Sequence, residues 1–320
     1  FSIIIEDLTK YYQSRFTNSE SRDFPDGSIG GYYTFDEVVE KIDEFYTNYP
    51  EIVSSKISLG TTLEGRDIWA FKISDNPNIN EDEPEVLYNG LHHAREPMSM
   101  MNLIYFIIYL TENYNNDSMV THLINNREMW FVPVVNADGY VYNNTNVPDG
   151  GGMHRKNKRV NGCSGNDIGV DLNRNYDFNW IFGDELYEYD SGCSENPSYQ
   201  SDFDYYRGEA PFSEKEIETI RNLAIEKNFL LSIAYHSSRS GCVAERVIYP
   251  WLWEGGKTSP DYQVIQSLGQ QIAEMTLAEV GDGKPVAVKQ NRIIATSFHP
   301  ELTDDSRMHS MFVDIAHSRP

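Results

Sequence analysis

The stretch Gly-Leu-His-His-Ala-Arg-Glu-Pro, residues 90–97, determines the expected fold because it joins a short apolar run to a long one. The short run Val86–Tyr88 is typical of a buried strand, and Asn89-Gly90 after it indicates a turn. The long run Met98–Leu110 has the length of a helix. The polar residues between the two runs therefore lie where a strand ends and a helix begins, which is where α/β proteins place their ligands.

His93 and Glu96 form a pair that suits zinc, because a neutral imidazole and a carboxylate are both zinc ligands. His236 is the candidate third ligand, since it follows another apolar run, Leu230–Tyr235, and also lies at the end of a predicted strand. Three protein ligands with one open position form a catalytic zinc site, which polarises a carbonyl and lowers the pKa of bound water to about 7. The alternatives are that His93 is an ordinary loop histidine and that His236 is a hydrogen-bonded core histidine.

The composition limits the size of the core and the classes of partner. The 320 residues are 40% hydrophobic, which is enough for one large α/β domain or two small ones. A net charge of -23 argues against nucleic-acid binding, because a phosphate backbone attracts the opposite sign. No apolar run reaches the length of a membrane span. The chain begins at Phe1, and we interpret it as a processed product whose missing signal peptide does not imply a cytoplasmic location.

Capping signals predict three amphipathic helices. Thr34–Glu37 is a capping box whose helix has its apolar residues on one stripe: Val38, Ile42, Phe45 and Tyr46. A second capping box, Ser213–Glu216, opens a helix that runs to about Lys227. Ser259-Pro260 opens the third, whose apolar stripe is Val264, Ile265, Leu268 and Ile272.

Strands alternate with these helices. Ile57–Leu59 and Asp67–Ile73 are predicted to pair as a hairpin around the turn at Gly60–Gly65. Met129–Val135 is predicted to be a buried strand, in which Pro133 indicates either the end of the strand or an edge of the sheet. Alternating strands and helices favour a parallel sheet, and the hairpin makes it mixed. We therefore expect a single α/β domain with a mixed central sheet flanked by helices on both faces.

The long irregular region Val141–Ser194 is rich in Gly, Asn and Asp, and such loops are usually functional in a compact domain. Arg174 can bind a carboxylate through two parallel hydrogen bonds, and Asn173 can donate beside it. Asp171 can orient a zinc-bound imidazole, and Arg155 adds a fixed positive charge that suits an anionic group. We interpret three further basic residues as members of surface salt bridges: Lys156, Lys158 and Arg159.

The three cysteines leave the redox compartment open. Cys163 and Cys193 flank a loop-rich stretch, and a disulfide between them would indicate an oxidising compartment. Cys242 would then be unpaired. The alternative is three free thiols.

Several short motifs between about Tyr33 and Met275 are jointly specific. They are His93–Glu96, Val135–Tyr140, Asp171–Asn175, Tyr206–Gly208, Pro211–Glu214, His236-Ser237 and Ile248–Trp251. On these residues the chain resembles the zinc metallocarboxypeptidases of the carboxypeptidase A/B/T type. The resemblance implies one Zn²⁺ per chain, a catalytic domain in residues 31–275, and removal of C-terminal residues from peptides and proteins. It also implies that residues 1–30 are the remnant of an inhibitory pro-segment and its activation linker.

The resemblance gives each candidate residue a role. The zinc ligands are His93, Glu96 and His236, and Asp171 is the hydrogen-bond partner of His93. The substrate-binding residues are Arg95, Arg155, Asn173, Arg174 and Ser237. Among these, Arg174 and Asn173 would hold the terminal carboxylate, and Arg155 would stabilise the tetrahedral oxyanion. A secreted, monomeric zymogen-derived hydrolase is the class of protein that these implications describe.

The C-terminal part departs from the family's pattern. The general-base glutamate of the family lies in a Ser-Phe-Thr-x-Glu-Leu-like strand, and its nearest counterpart is Glu301 in Ser297–Leu302. Ser238 stands where the family has an aromatic residue, and Arg239–Ala244 looks like an insertion. The substrate-capping tyrosine is not identifiable. The sequence therefore does not predict which side chain the enzyme removes.

Residues 280–315 also resemble the tail of a class I glutaminase that serves pyridoxal phosphate synthesis. The similarity lies in Gly283–Gln290 and Ile294–Asp305, in which His299 and Glu301 would complete a Cys-His-Glu triad. Cys242 lacks the glycine that follows such a nucleophile. Residues 276–320 are thus an atypical segment, and whether it completes the sheet is left open.

Three functions follow from the sequence. The first is a zinc exopeptidase that uses Glu301 as its base and Arg155 as its oxyanion donor. The second is an impaired protein that binds zinc and C-terminal peptides without a correctly placed base. The third is a glutamine amidotransferase, which a triad without its nucleophile does not support.

Overall fold

The computed structural model describes residues 27–163, 167–177, 206–227, 229–237, 246–248, 252–253, 257–258, 261–276, 279–280 and 293–297. Its helices are α1 (Phe35–Asn48), α2 (Pro97–Asn113), α3 (Ser118–Ile124), α4 (Ala137–Asn146), α5 (Lys215–Lys227) and α6 (Tyr262–Thr276). Its strands are β1 (Ile57–Thr61), β2 (Asp67–Ile73), β3 (Glu85–Gly90), β4 (Glu128–Val132), β5 (Leu231–His236), β6 (Arg246–Ile248), β7 (Leu252–Trp253), β8 (Lys257–Thr258), β9 (Glu279–Val280) and β10 (Ile293–Ser297).

Eight strands form one mixed sheet in the order β1-β2-β4-β3-β5-β10-β6-β9. The hairpin β1–β2 is antiparallel, as predicted, whereas β4, β3, β5 and β10 run parallel to one another. Gly90 at the end of β3 lies opposite Tyr235 near the end of β5, so the carboxyl ends of these strands are adjacent. The predicted fold class, a mixed central sheet flanked by helices, is confirmed.

Residues of the central strands alternate between two apolar layers. Val86 and Tyr88 of β3 pack in the layer that contains α1 and α2, while Leu87 packs in the layer that contains α5. The ring of Tyr88 lies 5.2 Å from that of Phe106 and 5.1 Å from that of Phe131. Because helices cover both faces of the sheet, its central strands are apolar throughout rather than on alternate residues.

The capping box at the start of α1 is confirmed. Thr34 Oγ1 accepts a hydrogen bond from the Glu37 N–H at 3.0 Å, and Glu37 Oε2 accepts one from the Thr34 N–H at 2.7 Å. The predicted stripe is too wide, because Tyr46 is 40% exposed. In α6, Val264 is 52% exposed while the other three stripe residues are buried. Both helices lie against the sheet along a narrower face than the sequence pattern indicated.

The second capping box is displaced by one residue. Helix α5 begins at Lys215, so Ser213 does not occupy the N-cap position that was predicted for it. Its hydroxyl instead donates to Glu214 Oε1 at 2.8 Å and accepts from Asn175 Nδ2 at 2.8 Å. The hydroxyl of Ser213 thus contacts the next residue and a distant loop, and neither bond is the predicted helix cap.

Several predictions concern residues outside the described ranges. These are most of the pro-segment remnant and linker in residues 1–30, Cys193, Ser238, the insertion Arg239–Ala244 with Cys242, His299, Glu301 and most of 276–320. The Cys163–Cys193 disulfide therefore stays a prediction. Among the described residues, no helix combines the length and the apolar character that a membrane span requires.

Replacing Glu216 by Gln is expected to stabilise the fold at pH 8. Glu216 is fully buried on α5, and its burial, together with the neighbouring charge of Glu214, raises its pKa to about 7. A carboxyl with a raised pKa contributes stability below its unfolded pKa and loses it as the pH rises through 7. The Gln variant should therefore lose less stability than the wild type between pH 5 and pH 8, by up to about 3 kcal/mol.

Thermal unfolding at both pH values measures this difference. Glu218→Gln is the matched control, because Glu218 lies on the same helix with its side chain 52% exposed. An identical pH dependence of Tm in the wild type and Glu216→Gln would contradict the prediction.

Candidate active site

A strained turn at the end of β3 presents the first ligand pair. The predicted turn at Asn89-Gly90 is wrong, because both residues belong to β3 and the left-handed residue is Leu91, with φ of 55°. Such a conformation costs a non-glycine residue about 1–3 kcal/mol. Its backbone is held on both sides, since the Leu91 N–H donates to Ser99 Oγ and its carbonyl accepts from the Asn136 N–H, both at 3.0 Å.

Three titratable groups converge behind this turn. Glu96 Oε1 lies 2.9 Å from His93 Nδ1, and Glu96 Oε2 lies 2.8 Å from His236 Nδ1. The two Nδ1 atoms are 3.0 Å apart. All three side chains are buried, and each offers one ligand atom within 4.8 Å of the others. The structure thus brings together the three residues that were predicted from the sequence to be metal ligands.

The donor groups of this cluster fit a zinc ion. Burial alone raises the pKa of Glu96, but the imidazoles of His93 and His236 lower it well below its usual range. Burial and the neighbouring His93 lower the pKa of His236. A lowered pKa keeps the Glu96 carboxylate deprotonated, which is the form that binds zinc. Two ring nitrogens and two carboxylate oxygens facing one point form a donor set that a divalent cation matches.

Asp171 contacts both the His93–Glu96–His236 cluster and the neighbouring guanidinium of Arg155. Its Oδ1 lies 3.1 Å from His93 Nε2, which favours a proton on that nitrogen and leaves the lone pair on Nδ1. Its Oδ2 accepts from Arg155 Nε at 3.0 Å and Nη2 at 2.9 Å. Burial by itself raises the pKa of Asp171, yet the charges of Arg155, His93 and Arg174 hold it well below its usual range.

Asn173 and Arg174 lie on a short 3-10 turn that Asp171 caps. Asp171 Oδ1 accepts from the Asn173 N–H at 2.9 Å, and Asn173 Nδ2 lies 3.4 Å from His236 Nε2. Arg174 Nη1 donates to the Asn173 carbonyl at 3.1 Å. Both side chains are buried. The planar Asn173 amide and Arg174 guanidinium, next to the candidate metal ligands, are suited to bind a carboxylate.

The remaining predicted residues border the cluster. Arg155 Nη1 lies 3.6 Å from Glu96 Oε1, and the Ser237 N–H donates to Glu96 Oε2 at 3.2 Å. Arg95, which lies between His93 and Glu96 in the sequence, is half-buried. Glu301 lies outside the described residues, but Ser297 at the end of β10 pairs with His236.

The interpretation of three loop residues as members of surface salt bridges is wrong for Lys156, whereas Arg159 does form an ion pair. Lys156 is fully buried instead of forming a surface salt bridge, and its Nζ donates to the Asp167 carbonyl at 2.6 Å. Lys158 lies over the ring of Tyr142, 3.3 Å from its centre. The ion pair predicted for Arg159 forms, with Glu214 at 2.8 Å, but its partner is completely buried. A charged residue type indicates only that the side chain is exposed on average. It does not reveal whether a backbone carbonyl from another part of the chain binds that side chain in the interior.

Sequence reasoning missed a set of buried asparagines that hold the loops of the site. They are Asn136, Asn143, Asn157 and Asn175. Each bonds several backbone groups with one side-chain amide; Asn175 Nδ2, for example, donates to the carbonyls of Arg207 and Ala210. The enrichment of asparagine in and before the long loop was the available signal, because a side-chain amide both donates and accepts.

The comparison with protein families agrees with this geometry. The family model described as "Zinc carboxypeptidase" matches residues 38–304. The chain belongs to the zinc carboxypeptidase family. Zinc is the metal of that family, and the His-Glu-His cluster supplies suitable ligands for it.

Curated relatives match different shares of the chain. A zinc carboxypeptidase of Saccharothrix mutabilis subsp. capreolus is 35% identical over 161 residues, which are 50% of this chain and 35% of the relative. Carboxypeptidase B of Astacus astacus is 28% identical and covers 83% of this chain and 79% of its own length. Carboxypeptidase A2 of Mus musculus is 30% identical, and the match covers 86% of this chain and 60% of the relative. The chain thus spans less than two thirds of the first and third of these relatives.

Solved structures show the same fold. The thrombin-activatable fibrinolysis inhibitor covers 98% of this chain and 80% of its own, with a TM-score of 0.70 and 19% identity. The match to carboxypeptidase A of Helicoverpa armigera covers 95% of this chain and 67% of that structure, with a TM-score of 0.61 and 23% identity. At these identities the likeness concerns the fold alone.

Proposed function

We propose that the protein is a zinc-dependent exopeptidase that hydrolyses the C-terminal peptide bond of peptides and proteins. One observation carries the proposal, namely the contact between the His93–Glu96–His236 cluster and the Asn173 amide, next to Arg174. Hydrogen-bond donors that suit a carboxylate, placed beside the metal ligands, favour the free C-terminus of a peptide over a peptide bond in the middle of a chain.

The basic residues of the site bind and stabilise negative charge in this proposal. Arg174 and Asn173 hold the terminal carboxylate, and Arg155 stabilises the charge that develops on the carbonyl oxygen under attack. When bound, zinc supplies a Lewis acid that polarises this carbonyl and acidifies water. Arg95 and Ser237 line the substrate subsites.

Asp171 keeps the site organised for this chemistry. By accepting from His93 Nε2 it keeps the Nδ1 lone pair directed at the metal position. Its other oxygen holds Arg155 close to Glu96. A single carboxylate thereby orients both a ligand and the oxyanion donor.

Glu301 is the proposed general base, which takes a proton from water and delivers it to the leaving amine. Two observations support this role. Strand β10 is paired with β5 up to Ser297, which lies opposite His236 and four residues before Glu301, and the family match continues to residue 304. That match does not favour the alternative of an impaired binding protein. The glutaminase-like character of residues 280–315 stays a prediction about the origin of this segment.

The proposed organisation follows the same family pattern. Residues 1–30 are the remnant of a pro-segment and activation linker, 31–275 form the catalytic domain, and 276–320 form the atypical C-terminal segment. We expect the protein to be secreted as a zymogen, to carry the Cys163–Cys193 disulfide and to be monomeric. Its partners are the C-termini of peptides and proteins.

Release of C-terminal amino acids from a mixed set of N-blocked peptides tests the proposal. We expect release that a zinc chelator abolishes and added zinc restores, because the polarising cation is lost and regained. The same peptides with amidated C-termini are the control, since they lack the charge that Arg174 is proposed to bind. Release from amidated peptides at the same rate, or no release by protein that contains one zinc ion, would contradict the proposal.

A further inference from the structure

Arg155 lies on a segment without regular secondary structure, residues 151–160. Asp171 holds the guanidinium itself, so the position of the Arg155 backbone depends on how this segment is tied to its neighbours. One direct tie is the backbone bond from the Ala94 N–H to the Arg155 carbonyl, at 3.0 Å. A second tie runs through a side chain of α4 that none of the family motifs quoted above contains.

Asn143 on α4 bridges the ligand turn and the Arg155 segment. Its Nδ2 donates to the Ala94 carbonyl at 3.0 Å and to the His154 carbonyl at 2.8 Å. Its Oδ1 accepts from the His154 N–H at 2.9 Å. The side chain is 5% exposed, so water does not substitute easily for these bonds. One amide thus contacts the residue next to a metal ligand and the residue next to the oxyanion donor.

The asparagine amide matches the backbone groups that surround it. Two carbonyls and one N–H require two donors and one acceptor on a short stem, which asparagine alone provides. A Cβ atom added to Gly152 would lie 2.6 Å from Asn143 Cβ and Oδ1, so the Gly152 backbone packs directly against this side chain. Asn136, the N-cap residue of the same helix, donates to the His92 carbonyl at 3.0 Å.

We propose that Asn143 is a positioning residue that sets the place of Arg155 relative to His93 and Glu96. The proposal rests on the proposed function, because it concerns the use of Arg155 as the oxyanion donor. The metal ligands have supports of their own in Asp171, Asn136 and the Ser237 N–H. Loss of the Asn143 bonds should therefore displace Arg155 without releasing zinc.

The test compares Asn143→Asp with wild-type holoenzyme. The variant keeps the size and the acceptor but loses both donors, so we expect kcat/KM to fall by about 10- to 100-fold. Affinity for a peptide phosphonate, whose charged oxygens resemble the tetrahedral intermediate, should fall by the same factor. Zinc affinity, measured by competition with a chelator, should stay unchanged.

Asn146→Asp is the matched control, because Asn146 is exposed on the same helix and receives the same charge. If Asn143→Asp does not fold, Asn143→Ala replaces it, since it removes the same two donated hydrogen bonds without adding a charge. Unchanged phosphonate affinity in a folded, zinc-loaded variant would overturn the proposal, and so would a parallel loss of zinc affinity. Failure of the wild type to release any amino acid would instead contradict the proposed function, while phosphonate binding would still test Asn143.

Discussion

Glu301→Gln is expected to lower kcat by about 100- to 10,000-fold, the range that a general base contributes. Glutamine keeps the shape of the side chain but cannot take a proton from water. The zinc ligands and the carboxylate-binding pair Asn173 and Arg174 lie on other segments, so KM and the zinc content should stay close to the wild-type values. Steady-state release of a C-terminal amino acid, together with metal analysis of the same samples, measures all three quantities.

The control for this experiment is Glu226→Gln, an identical change at a side chain that is 72% exposed on α5. Turnover at the wild-type rate by Glu301→Gln would exclude Glu301 as the base. The search for the base would then move to the other carboxylates of residues 276–320. Loss of zinc along with activity would also contradict the assignment, because a base that is not a ligand should leave the metal bound.

His236→Ala should have the second large effect, since it removes one of three protein ligands. We expect zinc affinity to fall by more than the roughly 10- to 100-fold that loss of an outer hydrogen-bond partner costs. Activity should disappear at zinc concentrations that saturate the wild type and return in part at high zinc. A chelator competition titration gives the affinity, and activity over a range of zinc concentrations gives the recovery.

His122→Ala provides the comparison, because His122 is exposed on α3 and distant in sequence from every proposed ligand. Stoichiometric zinc of wild-type affinity in His236→Ala would mean that His236 is a core histidine, the alternative that the sequence left open. The ring contact of His236 with His93, at 4.6 Å between centres, would then be structural only.

The predictable parts of the fold depend on short-range chemistry. The capping box at Thr34, the hairpin β1–β2 and the end of β4 before Pro133 all form, because each depends on residues within a few positions of one another. The errors have the opposite origin. The turn moved from Gly90 to Leu91 because Ser99 and Asn136 hold the backbone there, and Lys156 is buried because the Asp167 carbonyl receives its amine.

The candidate site shows the same division. Metal-binding chemistry was visible at His93 and Glu96 because the two residues are close in sequence and lie between a strand and a helix. Asn143 was not visible, since its function depends on two carbonyls that other segments supply. A buried polar side chain is informative only once its partners are known.

The sequence by itself determined the type of chemistry, because residue types carry their donors and charges wherever they lie. It also determined that each histidine of the cluster follows an apolar strand. Only the tertiary structure decided that β3 and β5 are neighbours in the sheet, which brings His93 and His236 to 3.0 Å across 143 residues of chain. The physical reason is that strand order depends on the packing of the whole sheet between its two layers of helices, and no local pattern encodes that arrangement.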